Sequence, residues 1–245
     1  MSPFVLVHGG WVGGWYWEKV IPLLEAAGHE VEAPDLPGHG DDRTPVSEVS
    51  LQGYADRVCE VLDAQSEPAI LVGHSSGGLA ISMAAEQRPE KVEMLVYVSA
   101  LLLRDGETLF SVAENDTESL LSSVMVISED QTYATLREDA IKEALAADCP
   151  DEAIERIKSL SSLQALAPAA TPVAVTEENF GRIPRVYIET LQDRAITPAA
   201  QRKMYERTPC QKVISMNTSH VPLYSAPDEL AGHLSSLTAR EGVAG

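Results

Sequence analysis

Residues 69–87 read AILVGHSSGGLAISMAAEQ, and this stretch contains the pattern that decides the fold. The four apolar residues AILV predict a buried β-strand, because parallel strands covered on both faces are continuously apolar. The Ala-, Leu- and Ile-rich segment from Gly77 to Gln87 predicts a helix. Between them, residues 73–77 form a G-x-S-x-G pattern that places Ser75 on a sharp strand-to-helix turn. Gly73 and Gly77 are expected there because a Cβ at either position would collide with the neighbouring strand and helix.

The same alternation of short apolar runs and helical segments continues on both sides of this stretch. It predicts parallel strands joined by helices, which is an α/β fold with a mostly parallel central sheet flanked by helices. The further predicted strands are residues 4–7, 30–33, 92–98, 185–189 and 212–216, and the further predicted helices are 17–27, 51–64, 198–207 and 227–239.

The alternation stops after residue 100 and resumes near residue 177. For the interval between, the sequence predicts a small hairpin, residues 124–127 and 132–136, followed by helical segments at 138–146 and 152–160. We therefore predict a core made of residues 1–100 and 177–245, with a small cap inserted at 101–176.

Composition and charge exclude several classes of protein. The 245 residues include 37 acidic and 18 basic side chains, a net charge of -19, which disfavours nucleic acids and anionic membranes as partners. The longest apolar run, residues 94–103, is too short to cross a membrane. No signal peptide is readable in MSPFVLVHGG, so we expect a cytoplasmic protein.

The three cysteines, Cys59, Cys149 and Cys210, are far apart and have no metal-ligand spacing. They predict neither a disulfide framework nor structural zinc. The chain also has no dinucleotide-binding or Walker motif, so we expect no metal and no cofactor.

A serine hydroxyl is nearly inert at neutral pH, so catalysis by Ser75 requires a base and an acid that orients the base. Among six histidines we favour His220, because it follows the strand KVISM by a short loop and so lies at the C-terminal edge of the sheet. His8 is better placed to hold the loop after the first strand. The histidines at 29, 39 and 233 are more simply explained as solvated.

The orienting acid is predicted to be Asp193, which follows the strand VYIET and gives the chain order Ser, Asp, His. Asp105, after the strand that ends near residue 99, stays open as an alternative. Asp35 is better explained as a structural loop residue.

Acyl transfer also needs N–H donors aimed at the developing oxyanion. Ser76 follows the nucleophile directly, and Gly10 lies in the glycine-rich loop after the first strand, so we predict that their backbone N–H groups form an oxyanion hole. Five neighbouring residues are expected to contact substrate: Gly9, Trp11, His74, Leu101 and Val221.

Four segments resemble the α/β-hydrolases of the plant methylesterase and hydroxynitrile lyase group and their bacterial relatives. The likeness covers nearly the whole core and is loose in the cap. It implies that Ser75, Asp193 and His220 form the triad and that Gly10 and Ser76 supply the oxyanion hole. The segments are FVLVHGGWVGGWYWEKVIPLLEAAGHEVEAPDLPGHG, LVGHSSGG, RVYIETLQDRAITPAAQRKM and SHVPLYSAPDELAGHL.

Two positions separate the chemistries of that group. Its lyases carry threonine where this chain has Gly9, and lysine, a cation for departing cyanide, where this chain has Val221. We therefore predict a serine carboxylic ester hydrolase that acts on small hydrophobic esters through an acyl-enzyme. A cyanohydrin lyase and a non-catalytic small-molecule receptor are the alternatives, and the sequence leaves a monomer and a homodimer open.

Overall fold

The computed structural model describes residues 2–238, in which the chain forms nine strands and eleven α-helices, numbered here in chain order. Six strands form one sheet in the order β2-β1-β3-β4-β8-β9, and every pairing in it is parallel. This confirms the predicted parallel sheet. The six strands are β1 (Phe4–Val7), β2 (Val31–Glu32), β3 (Ala69–His74), β4 (Val92–Val98), β8 (Arg185–Thr190) and β9 (Lys212–Met216).

The apolar run of β3 is explained by burial on both faces of the sheet. Successive side chains of a strand point to opposite faces. Leu71 packs in the core cluster shared with the helices at 51–64 and 77–87, whereas Ile70 and Val72 pack in the cluster on the other face. Two apolar layers therefore enclose the sheet.

The helices of the core begin and end close to their predicted limits. Ser50 caps the second helix, as its side-chain oxygen accepts a hydrogen bond from the N–H of Gly53 at 3.0 Å. The first helix is shorter than predicted, because residues 14–17 form a separate 3₁₀ turn. The core helices are α1 (Ile21–Ala26), α2 (Leu51–Ala64), α3 (Gly77–Gln87), α9 (Pro198–Arg207), α10 (Pro222–Ser225) and α11 (Pro227–Ser236). The last residue of the predicted helix 227–239 lies outside the described residues.

A second, three-stranded antiparallel sheet lies between β4 and β8, within the interval predicted for the cap. The predicted hairpin is present as β5 (Met125–Ile127) and β6 (Tyr133–Leu136), and β7 (Gln164–Ala165) was not predicted. Leu101 and Val175, near the two ends of this interval, pack into the main core cluster. The helices of this region are α4 (Leu109–Ala113), α5 (Leu121–Val124), α6 (Ile141–Ala144), α7 (Asp151–Leu160) and α8 (Ala167–Ala170). None of the helices described for this chain combines the length and apolarity needed to cross a membrane.

Candidate active site

Ser75 lies on the turn between β3 and α3 and has a φ of 54°, in the left-handed region that residues with a Cβ rarely adopt. The turn is tight because its flanking glycines touch backbone. A Cβ on Gly77 would lie 2.5 Å from the carbonyl oxygen of His8, and one on Gly73 would lie 3.0 Å from the backbone of Gly77. The collision expected from the sequence is therefore present at both glycines.

The structure brings Ser75, His220 and Asp193 together. Nε2 of His220 lies 2.9 Å from the Ser75 hydroxyl oxygen, and Nδ1 lies 2.8 Å from a carboxylate oxygen of Asp193. Because an ionised carboxylate only accepts hydrogen bonds, Nδ1 carries the proton and Nε2 can accept the proton of the serine. This is the geometry of a nucleophile, its base and the group that orients the base.

Asp193 is 3% exposed and is held by four donors besides the imidazole. Its Oδ1 accepts hydrogen bonds from the N–H groups of Ala195 and Ile196 at 2.8 and 2.9 Å. Its Oδ2 accepts from the Thr190 hydroxyl at 2.9 Å and from the Gln201 amide at 3.0 Å. These contacts stabilise the negative charge and fix the carboxylate plane toward the imidazole.

Neither alternative acid contacts His220. Asp105 is exposed, and its carboxylate accepts a hydrogen bond from the N–H of Val175 at 3.1 Å. Asp35 accepts from the N–H groups of Gly14 and Asp41 at 2.6 and 2.8 Å, so it joins two loops as a structural residue.

His74 holds the backbone of the candidate base. Its Nε2–H donates to the carbonyl oxygen of His220 at 2.8 Å, and the Ser99 hydroxyl donates to the same oxygen at 3.2 Å. Burial and, to a smaller extent, the neighbouring His220 lower the pKa of His74 well below its usual value, so the ring is neutral. His74 also lines the cavity, as the sequence predicted.

His8 holds the loop after β1, as expected. Its Nδ1–H donates to the carbonyl oxygen of Gly9 at 2.7 Å, and its Nε2 accepts from the N–H of Leu36 at 3.0 Å. Burial lowers the pKa of His8 to about 3, with a smaller contribution from His39. The imidazole is therefore neutral and its tautomer is fixed by two backbone groups.

The expectation that His29 and His39 are solvated is wrong, since both side chains are buried. His29 packs edge-on against the ring of Phe4. His39 lies between two glycines with positive φ, Gly38 and Gly40, so the loop turns its imidazole inward rather than toward solvent. Burial lowers the pKa of His39.

The loop with Gly9 and Gly10 lies directly against the serine turn. A Cβ on Gly9 would be 2.8 Å from the Cβ of Ser75, and one on Gly10 would be 3.6 Å from the hydroxyl oxygen of Ser76. Within the described chain, the N–H groups of Gly10 and Ser76 donate no hydrogen bond to backbone or side chain. Both are free to bind an oxyanion.

A cavity between the sheet edge and the residues of the predicted cap contains Ser75 and His220. Gly9, Trp11, His74 and Leu101 line it, as predicted. Val221 does not, because its side chain is fully buried in a core cluster. Sequence reasoning missed the polar Gln164 and Tyr54 and most of the apolar lining, which includes Leu109, Phe110, Val112, Leu121, Met125 and Leu166.

The parallel sheet and the serine on its strand-to-helix turn define an α/β-hydrolase fold. Residues 4–233 match the model of the alpha/beta hydrolase family, and the chain belongs to that family. The resemblance inferred from the sequence is thereby confirmed.

Two relatives are similar over most of their length. The chain is 34% identical over 240 residues to a pyrethroid hydrolase of Sphingobium wenxiniae, covering 94% of this chain and 85% of the relative. It is 32% identical over 238 residues to methylesterase 8 of Arabidopsis thaliana, covering 94% and 87%. A solved pyrethroid hydrolase from Sphingobium faniae JZ-2 superposes with a TM-score of 0.88 at 31% identity, covering 96% of each chain. The names of these relatives indicate the class of activity that the sequence predicts, which is hydrolysis of carboxylic esters.

Proposed function

We propose that this protein is a serine carboxylic ester hydrolase that acts on small hydrophobic esters through an acyl-enzyme. One observation carries the mechanism: the hydroxyl of Ser75 lies 2.9 Å from Nε2 of His220, whose other nitrogen lies 2.8 Å from Asp193. The names of the relatives, a pyrethroid hydrolase and methylesterases, support the same class.

In the proposed reaction Ser75 attacks the ester carbonyl while His220 takes the hydroxyl proton. The tetrahedral oxyanion accepts hydrogen bonds from the N–H groups of Gly10 and Ser76. Protonated His220 then donates its proton to the departing alcohol, which leaves an acyl group on the serine. A water molecule, deprotonated by the same imidazole, hydrolyses this acyl-enzyme.

The lining of the cavity supports uncharged, apolar substrates. Its walls are mostly aliphatic and aromatic side chains of the predicted cap. Asp116 contributes a carboxylate, but its two oxygens already accept hydrogen bonds from the hydroxyl and the N–H of Thr197, at 2.5 and 2.9 Å. Asp116 is the single acidic side chain among the lining residues of the described chain, and its contacts hold it against Thr197.

The alternative of a cyanohydrin lyase is not favoured. A side chain at Gly9 would collide with Ser75, and Val221 is buried away from the cavity, so neither lyase-type residue has a counterpart here. Cleavage of mandelonitrile faster than of any ester would reverse this choice.

The net charge of -19 supports the further proposal that the protein acts without nucleic acid or membrane partners. A cytoplasmic location and a homodimer stay predictions from the sequence.

Labelling with a fluorophosphonate tests the proposal, because that reagent reacts with an activated serine. The reagent is expected to modify Ser75, and Ser75→Ala is expected to abolish both labelling and hydrolysis of p-nitrophenyl butyrate. Ser159→Ala, which changes an exposed serine of α7, is the matched control and should behave as wild type. Unchanged turnover in Ser75→Ala would exclude the mechanism.

A further inference from the structure

We infer that Gln164 is a positioning residue, which fixes the backbone of the oxyanion loop from the cap side. The inference rests on the proposed function, since it concerns the same site. Gln164 lies on β7, and its side chain reaches across the cavity wall to Trp11 in the loop after β1.

The orientation of the Gln164 amide is set by backbone groups. Its Oε1 accepts from the N–H of Trp11 at 3.2 Å, and its Nε2 donates to the carbonyl of Ala165 at 3.0 Å. Because an N–H only donates and a carbonyl only accepts, the reverse orientation of the amide would lose both contacts. The same Oε1 faces Nε2 of His39 at 3.0 Å, and the amide Nε2 also reaches the Tyr54 hydroxyl at 3.3 Å.

The loop contains two peptide groups that flank Gly10, and each is held by one side chain. In the first, the carbonyl of Gly9 accepts from His8 at 2.7 Å, and the same rigid plane carries the N–H of Gly10. In the second, the N–H of Trp11 donates to Gln164. The core therefore fixes one plane through His8, and the cap fixes the other through Gln164.

The second plane needs this support because Trp11 has a φ of 63°, a left-handed conformation that costs a non-glycine residue free energy. A glycine neighbour offers no steric restraint of its own. Gly10 packs closely on the amide, since a Cβ there would lie 2.9 Å from Oε1 of Gln164. Without the amide the second plane would lose its anchor, and Cα of Gly10 could shift; because that Cα also ends the first plane, its shift would displace the N–H of Gly10 from the oxyanion.

Other contacts join Trp11 to the same part of the cap. Its indole N–H donates to the carbonyl of Ala134 on β6 at 3.1 Å, and its carbonyl accepts from the N–H of Ser162 at 2.7 Å. The loop that would bind the oxyanion is thus attached to β6 and β7. Through these hydrogen bonds, the position of the cap on the core also determines the backbone conformation of the loop that would form the oxyanion hole.

The test variant is Gln164→Met, which keeps the length of the side chain and removes its amide. We expect kcat for p-nitrophenyl butyrate to fall about 10- to 100-fold, because the donor is misplaced rather than removed, while KM changes by less than about threefold. Affinity for an alkyl boronic acid, which forms a tetrahedral adduct on the serine, should fall in parallel with kcat/KM. A merely structural role would not produce this parallel loss.

Arg156→Leu is the matched control, because it breaks a different cap–core contact, the ion pair with Glu18 at 2.6 Å. It should leave kcat within about twofold of wild type. Thermal unfolding of both variants shows whether they fold, and Gln164→Ala serves if the methionine variant does not. Equal losses of kcat in the two cap variants, or wild-type kinetics in folded Gln164→Met, would overturn the inference.

Hydrogen exchange at the backbone N–H of Trp11 separates failure of this inference from failure of the proposed function. Exchange at Trp11 is expected to accelerate at least tenfold in Gln164→Met whether or not esters are the substrate. If wild type neither hydrolyses esters nor reacts with fluorophosphonate, the proposed function fails. If wild type does both and exchange at Trp11 is unchanged in the variant, only the role of Gln164 fails.

Discussion

At the scale of single residues, the proposed chemistry depends on which nitrogen of His220 carries the proton. Asp193 keeps the proton on Nδ1 by accepting a hydrogen bond from it. The donors around Asp193 also determine how the amide of an asparagine at this position would be oriented. Oδ1 faces two backbone N–H groups, from Ala195 and Ile196, which cannot become acceptors. An asparagine would therefore place its oxygen there and turn its NH₂ group toward the imidazole.

Asp193→Asn should for this reason favour the wrong tautomer of His220, with the proton on Nε2. We expect kcat for p-nitrophenyl butyrate to fall by about 10³- to 10⁴-fold. Stability should fall by about 1–3 kcal/mol as well, because the new NH₂ group would face the Gln201 N–H that the carboxylate now accepts. Asp105→Asn, at the exposed alternative, is the control and should retain full activity. If Asp105→Asn lost activity and Asp193→Asn kept it, the assignment of the acid would be wrong.

His8 makes a prediction about pH, because burial lowers its pKa from 6.5 in the unfolded chain to about 3. Below pH 6.5 the unfolded state binds a proton that the folded state does not, so the free energy of unfolding falls as pH falls toward 3. At pH 5.0 this single group should cost about 2 kcal/mol relative to pH 8.0.

The check is urea unfolding of wild type and His8→Asn at both pH values. Asparagine retains a donor toward Gly9 and has no imidazole to titrate. The loss of unfolding free energy between pH 8.0 and 5.0 should be about 2 kcal/mol smaller in the variant. Equal losses would show that His8 is not a buried neutral group.

The sequence could predict that Ser75, Asp193 and His220 lie close together, because each follows a strand whose C-terminal end points to one edge of the sheet. It could not place His39 or Gln164, whose neighbours are far away in the chain. Gln164 contacts Trp11 across 153 positions, and no local pattern marks such a contact. Val221 was misplaced because a position next to the candidate base His220 does not determine which way the side chain points.

At the scale of secondary structure elements, strands buried on both faces were the easiest to predict. The limits of β1 and β4 agree with the sequence prediction because their apolar runs end at the polar residues His8 and Ser99. The strand β7 could not be predicted, since its two residues are too few to show any periodicity. This missing element is the one that carries Gln164.

Replacement by alanine is expected to change the free energy of unfolding in opposite directions at two helical glycines, because a Cβ on Gly77 in α3 would touch the backbone at the end of β1 and one on Gly232 in α11 would touch nothing in the described chain. Gly77→Ala would place a Cβ 2.5 Å from the His8 carbonyl oxygen, so we expect a loss of about 1–3 kcal/mol in unfolding free energy and a displaced Ser75. Gly232→Ala, in α11, meets no atom within 4 Å and should gain about 0.5–1 kcal/mol.

Thermal and urea unfolding of the two variants, with kcat measured in parallel, provide the comparison. A tolerated alanine at position 77, with stability and kcat unchanged, would contradict the tight turn described here. A loss of stability at position 232 would contradict the open surroundings of that glycine.

At the scale of the whole molecule, a six-stranded sheet holds the serine turn and the histidine loop, while residues of the predicted cap provide most of the apolar wall of the cavity. This division predicts that activity rises with the length of an apolar acyl chain. From p-nitrophenyl acetate to butyrate, kcat/KM should increase about three- to fourfold for each buried methylene. A carboxylate or a quaternary amine at the end of the acyl chain should abolish the gain.

A panel of p-nitrophenyl esters measured at one ionic strength gives this comparison. Preference for the acyl chain that ends in a quaternary amine would contradict the apolar lining and would instead point to the negative charge of the molecule, -19 in total. A flat response to chain length would mean that the acyl group lies outside the cavity.

The most direct measurement is the intact mass of the protein quenched in acid during turnover of p-nitrophenyl butyrate. We predict a mass increase of one butyryl group, about 70 Da, located on the peptide that contains Ser75, and absent from Ser75→Ala. Turnover without any acyl adduct on Ser75, or an adduct on another residue that accounts for the rate, would contradict the proposed mechanism.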